Sequence, residues 1–577
     1  MTHEKISPRL LFALNSFRAH GESVLLKRIR TVGIVPALGR PKATRTVIFI
    51  HCHENADLGD LAALGVELNQ PRGKVRTAIL PLDAVEKVAD HPAVQRVMAS
   101  HTLRPLMDVA LPALHVPAFR QSNSLSGKNV VIGTVDTGID SNHPAFAGRI
   151  LRIWDQTLSG PGVAEGGYGA ELTGSLLSVS EDDEGHGTHV AGIAASGDAK
   201  YTGVAPDAVL VAVKTDFNTA HIADGVRYIF RIAKEMNLPA VVNLSLGGHS
   251  DAHDGTDSLS QLIDSESGPG RIVCCAAGNE GNDNIHAKRN LKPGQSLTMR
   301  FVVGSAQVDE VFLNGWYSGG AALEVSIRTP GGFTIPYQPV ITSGSPARQY
   351  SLPDALLNIA TPGPDPDNSD HNVLVSLDGP GRGFVRNGIW QLRLKNTSNK
   401  ATDVHFWSMD DHEPTATVFT GRSIDDSTKV GSPGSAARAI TVASFTTRTS
   451  WTDIDGNVET VAFQNNDISD FSSEGPLRDG SSKPDVAAPG AIIVSSLSSR
   501  SSPERAWMID NSFRGMAGTS MATPFVAGLT ALLLERNPAL DPAGVKTLLN
   551  ANSAVPGKPA GAFDPKWGFG LIDAANL

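Results

Sequence analysis

Cysteine is almost missing from this chain. Its 577 residues include only Cys52, Cys274 and Cys275, which cannot build a disulfide framework. Cys274 and Cys275 are adjacent in the apolar run 271–277. Neighbours on a strand face opposite ways, so both read as small buried apolar residues rather than as a reactive or metal-binding pair. Long apolar runs are missing too. No stretch approaches the roughly 18 residues of a membrane span, and the N-terminus begins with charge but has only a short apolar stretch and no small-residue cleavage site, which argues against a signal peptide. A cytoplasmic location is the expectation, with unusual secretion left open. The chain also lacks a long basic run and carries a formal net charge of −10, so neither nucleic acid nor a membrane surface is an expected partner.

Hydrophobic residues make up 41% and charged residues 19%, the balance of a folded chain, and its length calls for two to three domains. The stretch that organises the rest is Gly518-Thr519-Ser520-Met521-Ala522-Thr523-Pro524, followed at once by an apolar helical run. A serine among small residues at a helix N-terminus suits a nucleophile, and Pro524 reads as part of the first helical turn, where a missing N–H costs nothing. Alone, the serine would read as an N-cap. Two upstream segments change that. The apolar strand 130–135 ends in Asp136, where open α/β sheets place their chemistry. Glu184-Gly185-His186-Gly187-Thr188-His189 opens a helix of small residues. Asp136 can orient the His186 imidazole, and His186 can take the proton of Ser520. A zinc reading of His186 and His189 lacks the glutamate of the His-Glu-x-x-His pattern.

The order Asp, His, Ser, carried by Asp-Thr-Gly, His-Gly-Thr-His-Val-Ala-Gly and Gly-Thr-Ser-Met-Ala-Thr-Pro, resembles the subtilisin-like serine proteases, or subtilases. Further family stretches are Val241–Gly248, Ala276–Gly281, Phe471–Pro476 and Lys483–Gly490. The resemblance implies an α/β fold with a doubly wound parallel sheet, and an endopeptidase with Asp136, His186 and Ser520 as its triad. Asn279, with the Ser520 backbone N–H, would form the oxyanion hole. Ser245, Leu246 and Gly247 with Ala276, Ala277 and Gly278 would wall the specificity pocket and pair with the substrate backbone, and Gly431 at its back would leave room for large apolar side chains. His189 matches the family's packing histidine. No cofactor is needed for the chemistry. The usual tight calcium site is expected to be absent, because Ala145 follows His143-Pro144 where an acid is usual and the segment 197–203 is short; structural calcium elsewhere stays open.

Along the chain, 1–43 is an extension with helical apolar spacing at Leu10, Leu11, Leu14 and Phe17. Residues 44–104 alternate strand and helix as a small α+β unit, similar to the propeptide of subtilases, an intramolecular chaperone and inhibitor. Residues 105–126, with three prolines, read as a linker. The catalytic domain is expected over 127–283 and 427–577, with a surface loop at 157–180 and a solvated acidic face at Glu181-Asp182-Asp183-Glu184. Between its halves, 284–426 alternates apolar and polar residues with turn residues between, and reads as an inserted antiparallel β-sandwich resembling the jelly roll of Csp-like germination subtilases. Peptide or protein is the implied substrate. Two other readings stay open: a self-inhibited or non-catalytic binding protein, and a dedicated processor of one protein substrate.

Overall fold

The computed structural model describes residues 5–6, 34–35, 45–53, 55–68, 75–99, 114–304, 308, 310–343, 346–379, 383–409 and 417–577. The helical spacing expected at 10–17 lies outside them. The chain divides into two compact units, Met1–Pro105 and Leu106–Leu577. No helix among the described residues is long and apolar enough to cross a membrane.

The first unit is α+β. Strand Arg45–Cys52 pairs antiparallel with Val75–Pro81 and with Val94–Ala99. Helix Val85–Asp90 contributes Val85 and Val88 to a core with Ile48, Ile50, Leu80 and Val97.

In the second unit, the stretch read as a linker is described from 114 on, and there it holds helix α1 (Val116–Asn123). Val116 and Phe119 are buried in the main core, so the catalytic layer begins before Gly127. The prolines misled because Pro117 sits at the start of the helix, where a missing N–H is tolerated.

The core elements are β1 (Val131–Asp136), β2 (Ile150–Asp155), β3 (Ala170–Thr173), α2 (His186–Ala195), β4 (Val209–Lys214), α3 (Thr219–Glu235), β5 (Ala240–Leu244), α4 (Ser258–Glu266) and β6 (Arg271–Ala276). After the insertion come β7 (Ile440–Thr446), β8 (Val486–Ala491), α5 (Thr519–Arg536) and α6 (Pro542–Ala551). The sheet runs β8-β7-β6-β5-β1-β4-β2-β3, extended beyond β8 by two short strands at 571–572 and 553–554. The pairs from β8 to β2 are parallel. β3, which arises in the expected surface loop, pairs antiparallel with β2 at the edge.

Parallel strands between two helical layers are buried on both faces, which is why these strands read as continuous apolar runs. Every residue of β1, β5, β7 and β8 is buried. Alternate residues serve opposite layers. Ile132, Val241 and Cys274 face α2 and α5, while Val131, Val242 and Cys275 face α3 and α4. The adjacent cysteines thus point to opposite faces as the sequence implies. α5 is apolar all round and is buried from Met521 to Leu534.

The insertion forms a six-stranded and a four-stranded antiparallel sheet with strands from His286 to Thr420. In strand Gly388–Asn396, Trp390, Leu392 and Leu394 alternate inward and meet Phe301 and Val325 in one core.

Candidate active site

β1 delivers Asp136 to the carboxyl edge of the sheet next to β4 and β5, where the chain changes direction across the sheet and clefts form. Asp136 is 1% exposed. Its Oδ1 accepts from the Thr137 N–H at 2.8 Å and lies 2.7 Å from His186 Nδ1. A carboxylate here requires the proton on Nδ1, which leaves Nε2 as the acceptor. Burial alone would lower the His186 pKa, but the charge and hydrogen bond of Asp136, with the charges of Asp182 and Glu184, outweigh it and raise the pKa above its ordinary value.

Asp182 was expected on a solvated acidic face and is instead fully buried. Its Oδ1 accepts from the Thr137 hydroxyl at 2.8 Å and the Gly185 N–H at 2.9 Å. Its Oδ2 accepts from the Thr188 N–H at 2.8 Å and the Thr188 hydroxyl at 2.6 Å. The Thr137 hydroxyl in turn accepts from the Gly187 N–H at 2.9 Å. One carboxylate therefore ties the end of β1 to the first turn of α2, whose free N–H groups favour a negative charge. The sequence signal was its place just before a glycine-led helix start, hidden by the flanking acids, of which Asp183 and Glu184 are exposed. His189, a turn beyond His186, is buried with Nε2 3.2 Å from the backbone carbonyls of Ile493 and Arg514, and burial pulls its pKa down to about 3.

Ser520 is the second residue of α5, and its hydroxyl donates to the Ser245 carbonyl at 3.2 Å. Pro524 is the sixth residue of that helix and lies beyond the first turn. Lacking an N–H, it cannot bond the Ser520 carbonyl four residues back. The Ser245 hydroxyl takes that role, donating to the Ser520 carbonyl at 2.8 Å while accepting from Asn243 Nδ2 at 2.9 Å. Pro524 therefore lies inside the helix and not, as the sequence implies, in its first turn. Its missing N–H opens a site through which β5 grips the start of α5.

Asn279 Oδ1 accepts from the Thr519 N–H at 2.9 Å and the Thr519 hydroxyl at 3.0 Å. A backbone N–H needs an acceptor, so the orientation of the amide is fixed and its NH2 remains as the donor half. Ser245, Leu246 and Gly247 from beyond β5, Ala276, Ala277, Gly278 and Asn279 from the end of β6, and Gly431 all line one cleft of about 500 Å³ with His186 and Ser520. Asp136 stands behind His186. A Cβ on Gly431 would meet the Gly248 carbonyl at 2.1 Å, so the close approach of two backbones requires glycine there. His249 and Glu280, which the sequence reading did not select, also line the cleft. A larger depression of about 810 Å³, at the opposite ends of β5 and β6 among Arg227, Arg231 and Glu266, holds neither serine nor histidine.

The sequence matches the subtilase family over residues 127–365 and 378–570. It is 24% identical over 501 residues to the serine protease AprX of Bacillus subtilis, covering 84% of this chain and 74% of that protein. It is 31% identical over 225 residues to subtilisin E of Bacillus subtilis, covering 36% of this chain and 50% of the relative. The solved CspB protease of Clostridium perfringens shares the fold at a TM-score of 0.67 and 24% identity, covering 81% of this chain and 97% of that one. The family match takes in both halves of the parallel sheet and the cleft between strand ends: the chain belongs to the subtilase family of serine endopeptidases and is a peptide hydrolase.

Proposed function

We propose that this subtilase cleaves internal peptide bonds with Ser520 as nucleophile, His186 as general base and then acid, and Asp136 as the carboxylate that orients the imidazole and stabilises its charged form. The observation that carries the reading is the 2.7 Å contact of His186 Nδ1 with Asp136 Oδ1, with Ser520 and Asn279 lining the same cleft as His186. In the reaction the Ser520 hydroxyl leaves the Ser245 carbonyl for His186 Nε2 and attacks the scissile carbonyl. The tetrahedral oxyanion is taken by the Asn279 NH2 and the Ser520 N–H at the positive end of α5. The substrate lies extended against 245–247 and 276–278, read through its main chain.

Turnover of an unfolded protein substrate tests this reading. Ser520→Ala should lose about 10⁶-fold in kcat, the magnitude established for loss of the nucleophile in subtilisin itself. Asn279→Ala should lose roughly 10²–10³-fold in kcat with KM little changed, again the subtilisin magnitude. Residual activity above a few per cent in Ser520→Ala rejects the assignment.

The reading includes a zymogen, with the N-terminal α+β unit as intramolecular chaperone and inhibitor. Its support is the size and fold of that unit and its place directly before the catalytic layer. Because α1 belongs to the catalytic core, the maturation cut is expected upstream of Leu114. N-terminal sequencing of the wild-type protein after storage should find a new terminus there that Ser520→Ala lacks; an identical intact terminus in both contradicts it.

The reading also does without the tight calcium of the family. The Ala145 carbonyl accepts from the Gly197 N–H at 2.8 Å and from the Arg149 guanidinium, so protein donors join the two segments. A chelator should leave the rate unchanged, and a rate lost to chelator and restored by calcium contradicts this.

A further inference from the structure

The turn that follows β6 and carries Asn279 is also the root of the insertion. Beyond Gly281 the chain leaves the catalytic core, the first strand of the insertion opens at His286, the last ends at Thr420, and the chain returns to line the cleft at Gly431. In the returning segment the Thr428 carbonyl accepts from Trp407 Nε1 of the insertion at 2.8 Å, and Val430 packs with Ala277 and Leu477. The insertion also grips the rim of the cleft directly, since Asn314 Nδ2 donates to the carbonyls of His249 and Asp251 at 2.9 and 2.7 Å.

The turn is held from two sides. On one side lies the segment 471–473. The Gly278 carbonyl accepts from the Ser473 N–H at 3.0 Å, the Glu280 N–H donates to the Ser473 hydroxyl at 3.1 Å, and the Gly281 N–H donates to the Phe471 carbonyl at 2.7 Å. A Cβ on Gly281 would meet the Ser472 carbonyl at 2.3 Å, so the turn lies against this segment without slack. The Gly281 carbonyl is held from the other side, by Lys429 Nζ at 2.8 Å. These two residues are 148 positions apart, and their bond joins the exit of the insertion to its return.

Lys429 is an unusual choice for such a bond. Its side chain is fully buried, and its carboxylate partner, Asp426 at 3.3 Å, is exposed. A neutral donor would satisfy a carbonyl without the cost of burying a charge. What the ammonium adds is strength, because a charged donor makes a hydrogen bond about twice as strong as a neutral one. The Lys429 backbone is fixed as well, its N–H donating to the Glu474 carbonyl at 2.8 Å.

We propose that Lys429 is a positioning residue for the oxyanion donor: by pinning the Gly281 carbonyl it closes the root of the insertion and fixes the turn from which Asn279 presents its NH2. Lys429 does not line the cleft and acts through Asn279. Thr519 sets which way the amide faces, and Lys429 sets where its backbone stands. Such a donor must meet the oxyanion at hydrogen-bond distance, and a misplacement of about 1 Å costs up to about 10²-fold in rate. The inference rests on the endopeptidase reading above, in which Asn279 is that donor.

A double-mutant cycle on kcat tests this, with active enzyme counted by titration with a serine-directed phosphonate. Lys429→Met keeps most of the stem and removes the donor. It should lower kcat by roughly ten- to a hundredfold with KM little changed. In Asn279→Ala, where no amide remains to be placed, the same change should cost less than about threefold. A merely structural lysine would lower the melting temperature and leave kcat alone, and an equal kcat loss in both backgrounds would mean action outside Asn279; either result overturns the proposal. Should Lys429→Met fail to fold, Lys429→Gln, a donor on an arm one bond too short for the Gly281 carbonyl, is read in the same cycle against the same expectations. An Asn279→Ala enzyme as fast as the wild type overturns the oxyanion reading itself, and the role of Lys429 falls with it.

Discussion

Asp182 is the residue whose effect on the chemistry reaches beyond its own contacts. Its charge helps to raise the His186 pKa, and its oxygens hold Thr137, Gly185 and Thr188. A base must be neutral to accept a proton, so activity falls as pH drops through the His186 pKa. Asp182→Asn removes a charge that raises this pKa, and the acid limb of kcat/KM should move to lower pH. The amide also sets an NH2 against donors, leaving groups unsatisfied at about 1–3 kcal/mol. A purely structural Asp182 would lower stability and leave the limb in place, and the pH profile separates the two. The triad candidates were legible because each sits in a short, distinctive local pattern at a strand end or helix start. Asp182 was not: a run of four acids looks the same whether or not one of them turns inward.

At the scale of elements, the junction of β5 and α5 carries a distinct consequence. Ser245→Ala removes the donor that satisfies the Ser520 carbonyl and should cost about 1–3 kcal/mol, the range for a buried group left unpaired. Pro524→Ala supplies the missing N–H from within the helix. Combined with Ser245→Ala it should recover part of that loss, giving a coupling of at least about 0.5 kcal/mol in a double-mutant cycle by denaturant unfolding. Strictly additive changes would show that proline and serine act independently. The parallel strands, the buried helix and the alternating strands of the insertion could all be read from periodicity, since each pattern is local. The grip of Asn314 on the 249–251 loop could not. It joins residues 63 and 65 positions apart, and no spacing in the sequence marks such a pair. The helix α1 was hidden by prolines that serve equally in linkers and helix starts.

At the scale of the whole molecule, four buried histidines make the Leu106–Leu577 unit sensitive to acid. Burial lowers the pKa of His189, His253, His286 and His405 below the ordinary 6.5. Below that value the unfolded chain binds protons that the folded one refuses, so stability falls with pH at up to about 1.4 kcal/mol per pH unit for each such group. Asp251, Glu474 and His186, all with raised pKa values, act in the opposite sense and are outnumbered. The Ser520→Ala protein, used to prevent self-digestion, should therefore melt at a lower temperature at about pH 5 than at pH 7, and His405→Gln should flatten the difference. An equal or higher melting temperature in acid contradicts this. The role of Ser520 is met most directly by reaction of the protein with a serine-directed phosphonate, followed by peptide mapping in the mass spectrometer. One label per molecule is expected, on Ser520, matched by loss of turnover and absent from His186→Ala. A label on another serine that accounts for the lost activity, or full turnover with Ser520 modified, would contradict it.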